Sequence, residues 1–145
     1  MTPRLSTLLY SPQVLSLALS LAEFPLVGDL VARGTASSRV CGSRVDIGVA
    51  TDPGGIVRQI GAKVTACAIG QAAAAIFLQS ALGRSAEDIA LGLAKIDRWL
   101  AGEGFPDWPG MDAVAAARDH PARHGAIVLP WKAALAALSN NRAAD

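Results

Sequence analysis

A chain of 145 residues with a net charge of +1, 52% apolar and 17% charged residues, is too apolar for disorder and long enough for one domain with a real core. The near-neutral balance gives no electrostatic case for nucleic acid or for an acidic membrane surface. The longest apolar stretch, Val14 to Val31, is broken by Glu23, Pro25 and Asp29 and falls short of the roughly 20 residues of a membrane span. The first residues lack the order of a signal peptide. The expectation is a cytoplasmic protein forming one domain over 1–145, frayed from about 141 onward. In a reducing compartment its two cysteines, Cys41 and Cys67, are free thiols or metal ligands rather than a disulfide.

Ser11-Pro12 opens a first helix, with Ser as N-cap and Pro at the first helical position. Val14, Leu15, Ala18, Leu21 and Ala22 then give a broad apolar stripe that Pro25 ends, and most of this helix is expected to be buried. Gly28 to Val40 reads as a loop or a short edge strand. Arg44 to Ala50 alternates as a strand with one wet face, carrying Arg44, Asp46 and Gly48. Asp52-Pro53-Gly54-Gly55 turns the chain into a second strand, Ile56 to Thr65. An Ala-rich helix follows Cys67 at once, from about Ala68 to Leu82. Ser85 and Asp88 form a capping box for the next helix, whose stripe is Ile89, Leu93, Ile96 and Leu100. Phe105 to Gly110 is a rigid aromatic loop, a short helix spans Met111 to Arg118, and His120-Pro121 breaks the chain again. The last helix carries Val128, Trp131, Leu135 and Leu138, with Pro130 in its first turn.

If the two strands pair as a hairpin, Cys41 before the first and Cys67 after the second reach the same end of the sheet. A thiol at a helix N-terminus faces unpaired N–H groups and the positive end of the helix dipole, which favour a thiolate suited to soft metals. The competing reading of Cys67 is a buried structural cysteine. Two thiols supply only part of a zinc or iron–sulfur ligand set, so other groups must contribute. His120 and His124 flank Pro121, which breaks any shared helical face; His124, just before the last helix, is the better ligand of the two. No Ser-His-Asp or paired-carboxylate arrangement stands out, so an enzyme is not expected.

Cys41-Gly42 ahead of a hairpin, Ala66-Cys67-Ala68-Ile69 opening a small-residue helix, and Pro121-Ala122-Arg123 leading into Leu129-Pro130-Trp131-Lys132-Ala133 resemble the iron–sulfur cluster scaffold family of the NifU N-terminal domain, IscU and SufU. The resemblance covers most of the chain. It implies an α+β domain in which a small antiparallel sheet of two to three strands is covered by about five helices. It also implies a scaffold or carrier role: Cys41 and Cys67 would hold iron or a transient [2Fe–2S] cluster, with sulfur from a cysteine desulfurase and delivery to acceptor proteins. The family pattern places an Asp where Ser43 stands and a third cysteine where Ala126 stands. A three-ligand site of Cys41, Cys67 and His124 would answer that departure. So would a homodimer pooling its thiols, a zinc site on the same three residues, or a partner-binding module without metal.

Overall fold

The computed structural model describes residues 9–40 and 42–144, and for 141–144 the backbone alone. The described elements are α1 (Pro12–Ser20), β1 (Ala32–Ser37), β2 (Arg44–Thr51), β3 (Val57–Thr65), α2 (Ala68–Gln79), α3 (Ala86–Leu100) and α4 (His124–Ala144). Short 3₁₀ segments cover Leu21–Glu23, Met111–Asp119 and Pro121–Arg123. The architecture is the expected α+β arrangement of a small antiparallel sheet covered by helices.

The sheet runs β1-β2-β3, all antiparallel. The Gly28–Val40 region thus contains a true edge strand. Ala32, Val45, Ile47 and Val49 turn inward onto α4 and α2, where Trp131, Phe77, Ile69 and Ile76 are fully buried. Gly34 of β1 lets α4 press directly on the sheet, because a Cβ there would lie 2.3 Å from the Ala133 carbonyl and the Ala137 nitrogen. The outer face is only half wet. The chain from Pro25 to Leu30 crosses it, so that a Cβ on Gly48 would meet Leu26 and Leu30, each at 2.8 Å. A parallel bridge between Pro25 and Ala62 fixes that crossing.

Three further readings change. Helix α1 buries only Val14, while Leu15 is 49% and Leu19 79% exposed; it packs on α2 along one narrow face, with no layer above it among the described residues. The short helix after Gly110 is 3₁₀ and broken at Val114. The last helix begins at His124, so Pro130 stands inside it rather than in its first turn. Proline cannot donate the helical hydrogen bond to Ala126, a defect worth about 3 kcal/mol in an isolated helix. Burial of Ile127, Leu129, Trp131, Ala133 and Ala134 around it offsets that loss. Among the described residues no helix is long and apolar enough to cross a membrane.

Candidate functional site

The pairing of β2 with β3 puts Arg44 opposite Thr65, so Gly42-Ser43 and Ala66-Cys67 lie on one rim of the sheet. The expected hairpin therefore forms. Cys41 itself lies outside the described residues. Among the described residues on either side, the Ser38 N–H donates to the Ser43 carbonyl and the Gly42 N–H donates to the Ser38 carbonyl, each at 2.9 Å.

Cys67 occupies the N-cap position of α2. Its backbone is extended (φ −67°, ψ 171°), and its side chain accepts no capping hydrogen bond. The thiol is a free cysteine, half-buried and packed against the edge of the core. Gln71 braces the turn by donating from its amide to the Ala66 carbonyl at 2.8 Å. The sulfur thus stands beside the amino end of a well-anchored helix.

The start of α4 closes the other side. A Cβ on Gly70 would sit 3.2 Å from the Ala126 Cβ and 4.0 Å from the Cys67 Sγ. A Cβ on Gly125 would lie 2.6 Å from the Ser38 hydroxyl. The first turns of α2 and α4 and the β1–β2 turn therefore converge on a single rim, and Ala126 faces it with a methyl group. Ser43 is 2% exposed at the base of the turn. These close approaches were legible only as isolated glycines in helical sequence, a weak signal.

His124 stands at the first position of α4, but its Nε2 lies 2.7 Å from the Arg118 carbonyl. A carbonyl only accepts, so that nitrogen carries the proton, and Nδ1 is the nitrogen that could ligate a metal. Among the described residues no group of three His, Cys, Asp or Glu side chains is arranged to hold a metal ion. Trp108 and Trp131 are interior, whereas Phe105 at the start of the aromatic loop is 53% exposed.

The outer face beside the rim carries the ordered electrostatics. Arg44 donates to both carboxylate oxygens of Asp46, and the Thr35 hydroxyl donates to Oδ1 at 2.5 Å. The Arg44 guanidinium holds the Asp46 carboxyl below its ordinary range, helped by Thr35 and Lys63 and opposed by partial burial.

No family model matches the sequence, and no curated protein matches it. Solved structures do. The N-terminal part of a nitrogen-fixing NifU-like protein from Brucella abortus is 22% identical, with TM-score 0.87 over 97% of this chain and 99% of that one. A candidate iron–sulfur cluster assembly scaffold protein for the SUF system, from the thermophile Fervidobacterium islandicum AW-1, is 20% identical, with TM-score 0.79 over 92% and 98% of the two chains. A hypothetical protein is 18% identical, with TM-score 0.65 over 87% and 96%. At such identities the common property is the fold, which this chain shares over nearly its whole length with NifU-like and SufU structures.

Proposed function

We propose that this chain is a scaffold or carrier in iron–sulfur cluster assembly, taking iron or a [2Fe–2S] cluster as cargo on the thiolates of Cys41 and Cys67. The observation that carries the reading is an open-rim thiol at the N-cap of α2, within a fold shared with NifU-like and SufU proteins. Thiolates are the preferred ligands of iron–sulfur clusters. A ligand set short of four thiolates suits cargo that must leave again. A cysteine desulfurase would supply the sulfur and an acceptor protein would take the product. His124 is the proposed third ligand, through Nδ1. The proposed setting is the cytoplasm, and no catalytic step is assigned to the chain.

Anaerobic reconstitution with ferrous iron and sulfide is expected to give visible absorption and retained iron in the parent chain, and neither in the Cys41→Ser/Cys67→Ser variant. Colourless protein retaining zinc would replace the reading with a zinc site on the same residues. The remaining rival is a metal-free interaction module. In that case the double serine variant would keep full partner binding while the parent retains no metal.

A further inference from the structure

The two edges of the sheet are finished differently. On β3 the outward Ala62 N–H donates to the Phe24 carbonyl, and the outward Val57 N–H donates to the Arg84 carbonyl, so loops cover that edge. On β1 the parity is set by the pairs Ala32–Val49, Gly34–Ile47 and Ala36–Val45 together with the Ser38-to-Ser43 bond. Residues 32, 34 and 36 face β2, so the backbone groups of Arg33, Thr35 and Ser37 point outward. The Arg33 carbonyl accepts from the Asn140 amide at 2.6 Å. The outward groups of Thr35 and Ser37 have no backbone partner among the described residues, and both residues are exposed.

The charge around this edge is positive. Arg33 lies on the strand, and among the described residues its guanidinium donates to the carbonyls of Leu30 and Val27. Arg39 follows the strand, exposed and without an ion pair among the described residues. On the neighbouring face Arg44 neutralises Asp46, and the exposed Asp29 precedes the strand, so the two arginines still outnumber the unpaired acid. We propose that the outer edge of β1 is a strand-addition surface for an acidic, extended peptide segment of a partner protein. The segment would pair its backbone with Thr35 and Ser37 and set carboxylates against Arg33 and Arg39. Strand addition supplies affinity through main-chain hydrogen bonds and direction through the charged side chains. Such a strand runs alongside β1 to the rim where Cys67 stands, which brings the partner's chain to the site.

The test uses the full chain with three synthetic extended peptides: one alternating Glu with Val and Thr, its Lys-for-Glu counterpart, and the acidic peptide with a central Pro. The acidic peptide is expected to slow hydrogen exchange at the Thr35 and Ser37 amides, and tenfold higher salt is expected to weaken it at least several-fold. The Lys and Pro peptides are expected not to protect. Thr35→Pro removes an outward donor without touching a bond to β2 and should abolish binding, while Thr35→Val should retain it. Arg33→Glu/Arg39→Glu leaves the backbone intact and should weaken the acidic peptide tenfold or more, which covers the case where Thr35→Pro fails to fold. Equal protection by the Lys peptide overturns the proposal, as does no protection by any peptide. Protection of the same amides by the chain's own self-association also overturns it, because the occupant is then a second copy.

Discussion

The two ends of α2 are built on opposite plans. Its carboxyl half ends in an aromatic knot: Phe77 stacks on Trp108 at 5.4 Å and meets Trp131 edge-on at 5.2 Å, while Trp108 and Trp131 stand at 5.3 Å and 76°. Trp108 donates its indole N–H to the Ile76 carbonyl at 3.1 Å, and Arg84 lies 3.9 Å over its ring. The amino end has Cys67, Gly70 and, across from them, Gly125 and Ala126. Small residues there let three chain segments approach closely. One end of the helix supplies cohesion, and the other is held in place by it while remaining open. A reactive group can be presented by a marginal surface when the element carrying it is anchored a few turns away.

Substitutions along this helix and its neighbours test that division of labour. Phe77→Ala should cost about 3–5 kcal/mol, since it removes a fully buried ring from three-way packing; denaturant unfolding would read the loss. A cost below about 1 kcal/mol would mean that the knot does not anchor the helix. Gly34→Ala should cost about 1–3 kcal/mol or more, because its Cβ meets the backbone of α4, which cannot rotate aside.

Asp46→Asn should cost about 1 kcal/mol at neutral pH through its hydrogen bonds to Arg44 and Thr35. The folded carboxyl titrates below its unfolded value of about 3.9. Its contribution is therefore complete above that value and lost as pH falls through the lower folded one. The variant should show a shallower loss of stability below about pH 4 than the parent, measured by thermal unfolding across pH. Cys67→Ser should change stability least, by about 0.5 kcal/mol or less, while eliminating retained iron after reconstitution. A large destabilisation there would make the amino end part of the core and erase the contrast. Ala126→Cys, which adds a thiol to the wall facing Gly70, should raise the iron retained per chain.

Much of this was legible in local sequence because it depends on local physics. Ser11 and Ser85 accept from the N–H groups of Val14 and Asp88, as capping residues at those spacings must. Asp52 accepts from the N–H groups of Gly54 and Ile56 and so closes the β2–β3 turn that its sequence announces. Helix α1 could not be read this way. Its apolar stripe is as broad as that of a buried helix, yet Leu15 and Leu19 are exposed because no described residue lies above them. The outer face was equally hidden: alternation assigned Gly48 to water, but the segment from Pro25 to Leu30 lies across it. Pro130 reads as a first-turn residue by propensity and stands deeper, because packing of α4 against the sheet outweighs one missing hydrogen bond.

Hydrophobic period, caps and turn chemistry set the elements, their order and the antiparallel return that aligns Gly42-Ser43 with Ala66-Cys67, for these act over a few residues. Only the tertiary structure decided that Ala126 stands across from Gly70 near the Cys67 thiol, that His124 spends one ring nitrogen on Arg118, and that α1 keeps an apolar side outside. Those outcomes depend on which surfaces meet across tens of residues, and no local pattern carries that information.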